Sequence, residues 1–522
     1  MKVLTAAQMR AVDRRTVELG IPGIVLMENA AHRVVEFLAG RFAPLSAGRI
    51  VILCGKGNNG GDGMAVARQL HTRFHPAALH VVLLAAPDEL KGDAAANYGM
   101  LQACGCPVLS EIPPAAHNAT LVVDALLGTG IAGPAKGPML DAIREINRAF
   151  PLAKVVAVDI PSGMSSDSGE SSGECARADC TVTFTAPKLA HALPPNCDGV
   201  GELIIAPIGS PPELFEADPS IYLSLIEPAM FRHLLAPRPR SGHKGTFGHV
   251  LVVAGSPGKT GAAAMSGLAA LRAGAGLVTV ASSAAIPAAP ELMTESLEAG
   301  LDALAEGKTV VAMGPGLGRN PDTNALVSHA VTQLNQPLVL DADGLAGFPL
   351  APGPRPPAPD RPLILTPHPG EMSRLTGQSI AEIQSNRVAA ARAFATEHAV
   401  ILVLKGQRTI LAFPDGRVSI NPTGTPAMGT GGSGDILTGL IAGLLAQFLN
   451  DPVSAVSAAV YLHGLAGEIG ARALGEKCLI ATDILKYLPK AMWGGPGYPP
   501  LSWVRLPSSL GLPSSCQASE RP

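Results

Sequence analysis

The stretch Arg49-Ile-Val-Ile-Leu-Cys-Gly-Lys-Gly-Asn-Asn-Gly-Gly-Asp-Gly63 reads as a strand, a glycine turn and a helix start in one line. An unbroken apolar run of this length is a strand buried on both faces, the mark of a parallel sheet covered by helices. The glycines at 55, 57 and 60 formally make a G-x-G-x-x-G ahead of the helical run 64–70, a weak pattern by itself. Its polarity is more telling. Asn58, Asn59 and Asp62 set amide and carboxylate oxygens beside bare backbone N–H groups, so the turn can hold a ligand and a cation together.

Similar apolar runs follow at 79–84, 120–124, 155–159, 180–184 and 202–205, separated by helical stretches. They predict an α/β domain of the Rossmann-like, doubly wound parallel kind over residues 1–225. A proline-rich zone with Pro207, Pro211, Pro212, Pro219, Pro228, Pro237 and Pro239 then reads as a linker with a little local structure. A second alternating series, at 248–253, 276–280, 309–313, 337–341, 362–365 and 400–404, predicts another α/β domain over 226–493. The Pro-rich stretch 351–361 reads as a surface loop, and the Gly-, Pro- and Ser-rich residues 494–522 as a disordered tail.

Two more strand ends in the first half carry glycine-flanked acids: Val123-Asp124-Ala-Leu-Leu-Gly128-Thr129-Gly130 and Val158-Asp159-Ile-Pro161-Ser162-Gly163. In a parallel sheet these ends lie on one side, so Asn59, Asp124, Asp159 and Ser162 can converge where such folds bind ligands. A lone strand-end Asp that caps the next helix is the plain alternative for any one of them. Taken together, NNGGDG, VDALLGTG and VDIPSG resemble the epimerase domain of NAD(P)H-hydrate repair enzymes across about residues 1–225. That resemblance implies interconversion of the R and S forms of hydrated NAD(P)H with a bound potassium ion. It implies Asn59, Asp124 and Ser162 as potassium ligands, and Asp159 as the proton-transfer group. The hydrated dinucleotide would lie on Asn58, Asn59, Gly60, Gly61 and Asp62, on Gly128, Thr129, Gly130, Ile131, Ala132, Gly133 and Pro134, and on Asp159.

In the second half, Gly429-Thr-Gly-Gly-Ser-Gly-Asp435 runs into the apolar segment 436–446 and reads as an anion-binding loop at a helix start. A carboxylate there repels phosphate unless it takes a proton or holds a metal, which points to phosphoryl chemistry. A helix-capping role for Asp435 is the plain alternative. Gly255-Ser-Pro-Gly-Lys-Thr260 mimics a Walker A loop, but that motif needs glycine where Val253 stands, so it is rejected. HKGTFGHVLVVAGS at 243–256, GPGLG at 314–318, TPHPGE at 366–371, KGQRT at 405–409 and GTGGSGD follow in order. This ensemble resembles the ribokinase-like ADP-dependent NAD(P)H-hydrate dehydratases over about residues 230–493. The resemblance implies hydrate contacts from Ala262, Gly316, Gly318, His368 and Asp435. It implies adenine-nucleotide contacts from Lys405, Gly406, Gln407, Arg408, Thr409 and Gly434, with magnesium accompanying ADP. Asp435 is then the base that readies the hydrate hydroxyl for phosphorylation, after which phosphate leaves and NAD(P)H is restored. A ribokinase-type small-molecule kinase fused to a dinucleotide-binding or interaction domain is the competing expectation.

Composition narrows the field further. Of 522 residues 47% are hydrophobic and 4% aromatic, and the net charge is −3 with no basic block, which gives no electrostatic case for nucleic acid or an anionic membrane. The N-terminal residues lack the apolar core of a secretion signal, and Thr5 with Gln8 instead fits a capping box. The uncharged stretches 273–290 and 436–450 are too short or too broken to span a bilayer. Eight scattered cysteines form neither a CxxC pair nor a disulfide grid, so reduced thiols in a cytoplasm are expected. The expected partners are the small molecules NADHX, NADPHX and ADP, in a homo-oligomer.

Overall fold

A computed structural model of the chain describes residues 1–131, 133–287, 289–350, 361–493 and 503–505. The described residues part into two units that change over between Ile221 and Tyr222.

The first unit is built on one parallel sheet. Its strands are β1 (Arg49–Cys54), β2 (Ala78–Leu83), β3 (Val108–Leu109), β4 (Leu121–Ala125), β5 (Lys154–Val158), β6 (Cys180–Phe184) and β7 (Glu202–Ala206). They lie in the order β7-β6-β5-β4-β1-β2-β3, and Trp503–Arg505 runs parallel beside β7 as an eighth strand. Six of them match the apolar runs to within one residue, because a strand covered on both faces must be apolar throughout. The chain builds outward from β1 to β3 and then returns to β4, so the strand order reverses between β1 and β4. In open parallel sheets, ligands bind beyond the carboxyl ends of the strands at such a reversal. The capping box at Thr5 and Gln8 forms, with the Thr5 amide donating to Gln8 Oε1 at 2.9 Å.

The expected turn at NNGGDG is instead helical, since the helix Asn58–Arg73 starts at the first asparagine. Its glycines serve close packing. A Cβ on Gly60 would meet Gly55 O at 1.8 Å, and one on Gly63 would meet Ala125 Cβ at 2.6 Å, so a side chain at either position would push the helix off the sheet.

The second unit carries a ten-stranded sheet. Its strands are β8 (Leu223–Leu225), β9 (His249–Val253), β10 (Leu277–Ser282), β11 (Met293–Ser296), β12 (Val310–Met313), β13 (Leu338–Leu340), β14 (Leu363–Leu365), β15 (Ile401–Leu404), β16 (Ile410–Ala412) and β17 (Val418–Ile420). The order is β11-β10-β9-β12-β13-β14-β15-β16-β17-β8, with only β16 antiparallel to its neighbours. Here the order reverses between β9 and β12. Where the sequence reading draws the boundary at 225/226, Leu223–Leu225 pairs with β17 and so belongs to this sheet. The helix Ser433–Gln447 packs along the helix Thr260–Arg272 at backbone distance. A Cβ on Gly439 would stand 2.1 Å from Ser266 O, and one on Gly443 2.4 Å from Ala270 O. Most of the loop read at 351–361 and of the tail read at 494–522 lies outside the described residues. No described helix is long and apolar enough to cross a membrane.

Candidate functional sites

At the strand-order reversal of the first unit, the fully buried Asp124 on β4 accepts hydrogen bonds from Ser162 Oγ at 2.5 Å and Ser162 N at 2.8 Å. Leu126 N adds a third at 3.3 Å, and Ser162 Oγ accepts from Leu127 N at 2.9 Å. Burial pushes the Asp124 carboxyl above its ordinary value, and the Ser162 donors pull it back. Asn59 is buried in the first turn of its helix, and a Cβ on Gly128 would lie 3.2 Å from Asn59 Cβ. The helix start and the Gly128 turn are therefore in contact. Asn59 Nδ2 has no hydrogen-bond partner among the described residues. A buried carboxylate with a hydroxyl on it and no cationic side chain bonded to it is an oxygen set that suits a hard cation.

Asp159 stands just beyond β5 with φ 63°, and its Oδ1 accepts from Lys188 Nζ at 2.5 Å and Thr183 Oγ1 at 2.9 Å. Burial alone would raise its carboxyl, but the Lys188 charge and these donors hold it below the usual range. Asp62 is buried without such a partner and is pushed well above that range, first by burial and then by Asp159 and Asp13. Of the other expected ligand positions, Asn58, Gly130, Gly133 and Pro134 are exposed, and Gly128, Thr129 and Ile131 are half-buried. Ala132 lies outside the described residues.

In the second unit the helix Ser433–Gln447 takes in the last three residues of GTGGSGD, so Asp435 projects from its first turn rather than from a loop. The cap is Gly432 at φ 94°, and Asp435 makes no capping hydrogen bond, which removes the plain capping role. Ser266 Oγ donates to Asp435 O at 2.9 Å and ties this turn to the neighbouring helix. No described group hydrogen-bonds the Asp435 carboxylate. Burial and the nearby Asp341 raise it to about 6 against the opposing pull of Lys405, with Asp343 adding to the rise.

Lys405 Nζ lies 2.6 Å from Asp341 Oδ1 and 3.7 Å from Glu371 Oε2, while Thr438 Oγ1 donates to Asp341 Oδ2 at 2.8 Å. A Cβ on Gly434 would be 3.5 Å from Lys405 Nζ, so this lysine faces the helix start. The backbone of its loop is clamped by buried Arg387, which donates to Gln407 O at 2.6 Å and to Leu404 O and Lys405 O at 3.3 Å. Thr409 Oγ1 closes the turn onto Gly406 O at 3.0 Å, and Arg408 reaches Pro422 O at 2.5 Å.

His368 caps the helix Pro369–Thr376. Its Nδ1 accepts from Gly370 N at 3.0 Å and Glu371 N at 3.3 Å, and its Nε2 lies 3.3 Å from Glu371 Oε1. Gly316 sits at φ 65° against Ala262, whose Cβ would be 3.2 Å from a Cβ placed there. The GPGLG loop is held by Asp343, which accepts from Gly318 N at 2.9 Å and from Arg319 Nε at 2.9 Å.

Comparison with known proteins places the chain in a family. A family model described as YjeF-related protein N-terminus matches residues 23–190, and one described as NAD(P)H-hydrate dehydratase matches residues 250–490. The bifunctional NAD(P)H-hydrate repair enzyme Nnr of Moorella thermoacetica is 44% identical over 518 residues, spanning 94% of this chain and 96% of the relative. This chain belongs to the bifunctional NAD(P)H-hydrate repair enzymes. The family member of Coxiella burnetii is 39% identical over 493 residues, covering 92% of this chain and 97% of its own length. Among solved structures, an ADP/ATP-dependent NAD(P)H-hydrate dehydratase from Bacillus subtilis, co-crystallised with ATP and magnesium, matches 51% of this chain and 97% of its own. It does so at 34% identity and a TM-score of 0.45. The two family models fall one on each sheet, as the two-domain repair-enzyme reading expects.

Four buried groups in or beside these sites lie outside the sequence-based site assignments: Lys188, Asp341, Glu371 and Arg387. Asp341 ends the 337–341 apolar run and Glu371 closes TPHPGE, so both stood inside recognised motifs. A lysine in Ala186-Pro-Lys-Leu-Ala190 and an arginine in a helix carry no such spacing signal.

Proposed function

We propose that the first unit interconverts the R and S forms of hydrated NADH and NADPH, and that the second returns the S form to NAD(P)H with ADP as phosphoryl donor, releasing phosphate and AMP. The observation that carries the dehydratase step is Asp435. It is an unpaired carboxylate on the first turn of a glycine-led helix, raised to about 6 and facing the charge of Lys405. A base with that value is largely ionised at neutral pH and still basic enough to accept a proton.

Hydroxide is a poor leaving group and phosphate a good one. Asp435 takes the proton of the hydrate's C6 hydroxyl as its oxygen attacks the terminal phosphorus of the nucleotide. The free amides at the start of the helix Ser433–Gln447 and the Lys405 charge stabilise the transferring group. Loss of phosphate from C6 together with a proton from C5, released to solvent, then restores the reduced nicotinamide. The buried carboxylates of Asp341 and Glu371, with the nucleotide's own phosphates, are the hard oxygen donors that suit magnesium. When bound there, magnesium would supply neutralisation of phosphate charge. Lys405 to Thr409, fixed from behind by Arg387, and Gly434 would hold the nucleotide. Ala262, Gly316, Gly318 and His368 would face the hydrate.

In the first unit Asn59, Asp124 and Ser162 would hold potassium, whose chemistry there is to neutralise the Asp124 carboxylate and anchor the Gly128 turn. The hydrate would lie along the helix start 58–62, the turn 128–134 and Asp159.

Incubating the full chain with mixed NADPH-hydrate epimers, magnesium and ADP or ATP, and following near-ultraviolet absorbance, tests this. Full recovery of absorbance with stoichiometric phosphate release is expected. A stable phosphorylated product without recovered absorbance would establish the kinase alternative instead.

A further inference from the structure

The first unit buries more proton chemistry than a cation cradle and a ligand loop require. Lys188 is 1% exposed, and its Nζ donates to Asp159 Oδ1 at 2.5 Å, Thr183 Oγ1 at 2.9 Å and Phe184 O at 3.3 Å. Around it Asp13 Oδ1, Thr185 Oγ1 and His191 Nε2 are buried with no hydrogen-bond partner among the described residues. Orphaned polar atoms are costly, so three together call for an explanation. The backbone is strained at the same place. Asp159 has φ 63° and Thr185 has φ 65°, at the ends of two adjacent strands, and a β-branched residue in that region is an outlier. Backbone strain of this kind concentrates at functional sites.

Accessibility sorts the members. The Asp159 side chain is 15% exposed against 1% for Lys188, so the aspartate can meet a ligand and the lysine acts through it. Asp62, from the second turn of the helix after β1, is 9% exposed and its carboxyl takes no hydrogen bond among the described residues, so like Asp159 it has oxygens left for a ligand. Asp13 comes from the helix Ala6–Glu18.

Resting on the reading that this unit epimerises the hydrate, we propose that the cluster inverts C6 by opening and reclosing the C6–N1 bond. Asp159 and Asp62 are the proton-transfer pair, and Lys188 is the residue that positions Asp159. The hydrate bears a hydroxyl and a ring nitrogen on one carbon, so it is a hemiaminal. Asp159 accepts the hydroxyl proton, and the C6–O bond becomes a carbonyl as the C6–N1 bond breaks. N1 keeps that electron pair and takes a proton from the neutral Asp62 carboxyl. The open form is an aldehyde with an enamine nitrogen conjugated to the carboxamide. Rotation about C5–C6 presents the other face, N1 adds back to C6, Asp62 recovers its proton from N1, and Asp159 returns its proton to oxygen. Nothing is oxidised, no water enters, and the C6–O bond never breaks.

The environments of the two carboxylates are pushed apart as such a pair needs. Lys188 and Thr183 hold Asp159 low, and burial holds Asp62 high.

The test uses the full chain and R-hydrate labelled with 18O at C6. Wild type should deliver S-hydrate with the label retained, whereas loss of the label at each inversion would overturn ring opening. Lys188→Met should lower epimerase kcat about 100-fold while KM stays within about threefold, and should move the acid limb of kcat upward. Lys188→Arg should restore most of the rate. An unchanged kcat and pH profile in Lys188→Met would overturn the positioning role. Should that variant not fold, the labelling result and Lys188→Arg, which must keep the wild-type pH profile, decide alone. Absence of any epimerisation by wild type would sink the functional reading itself, a separate outcome.

Discussion

The two sites use the same parts and wire them differently. Each sets a lysine against an aspartate at the carboxyl ends of parallel strands: the buried Lys188 with Asp159 at 2.5 Å, and the half-buried Lys405 with Asp341 at 2.6 Å. In the first unit the lysine grips the proposed base itself and holds it below the ordinary carboxylate range. In the second it grips a neighbour, and the proposed base, Asp435, stands unpaired with its pKa raised to about 6. A gripped base stays charged over a wide pH range and gives up its proton readily, which suits a reversible inversion. An ungripped one is a stronger base, which suits activation of a weak nucleophile.

Asp435→Asn breaks the comparison hardest. It should cut dehydratase kcat/KM about 10³-fold or more, read from absorbance recovery on pure S-hydrate, while epimerisation by the same chain continues. It should also raise the melting temperature. Because its folded pKa lies above the unfolded value, the Asp435 charge opposes folding as pH rises through about 4 to 6, and the neutral amide escapes that opposition. A fall in melting temperature would count against the unpaired placement.

Lys405→Met leaves Asp341 and Glu371 buried without their cation. Denaturant unfolding of the second unit should show a loss of about 3–5 kcal/mol. A loss below about 1 kcal/mol would mean that the pair is solvent-screened.

The pH profiles sharpen the contrast. Dehydratase kcat/KM should fall about tenfold per pH unit below about 6 as Asp435 protonates. Asp159, held low by Lys188, should impose no limb of its own in that window on the epimerase. Coincident acid limbs would erase the distinction.

Smallest is Thr438→Val, which removes one of the two side-chain donors to Asp341. It should cost about 1–2 kcal/mol in the same unfolding assay and leave KM for the hydrate unchanged.

Much of this was legible in the sequence, for identifiable reasons. Strands buried on both faces must be apolar, so twelve runs marked the two sheets and their loaded ends. The strands that escaped notice are two to four residues long; Leu223–Leu225, Ile410–Ala412 and Val418–Ile420 are too short for a pattern to emerge from noise, and Met293–Ser296 is exposed throughout and carries no apolar run. Glycine misled in one respect. At NNGGDG and in the last residues of GTGGSGD it reads as loop, yet the chain is helical there, and Gly60 and Gly63 are small because the turn after β1 and the sheet lie against them. Lys188 was hidden for a different reason. A single lysine amid alanines looks like a solvated charge until the fold folds it onto Asp159, and the positive φ of Thr185 has no sequence signal.

The glycine contacts between the helices Thr260–Arg272 and Ser433–Gln447 have a thermodynamic side. Ser266 lies opposite Gly439 and Ala270 opposite Gly443, so the two helices run in the same direction, and their amino-terminal partial charges sit side by side. Parallel dipoles at backbone distance repel, and an anion set across both starts removes that repulsion. On the proposed reading, nucleotide phosphate at the start of Ser433–Gln447 would offset part of that repulsion, so the melting temperature of the second unit should rise with added adenine nucleotide.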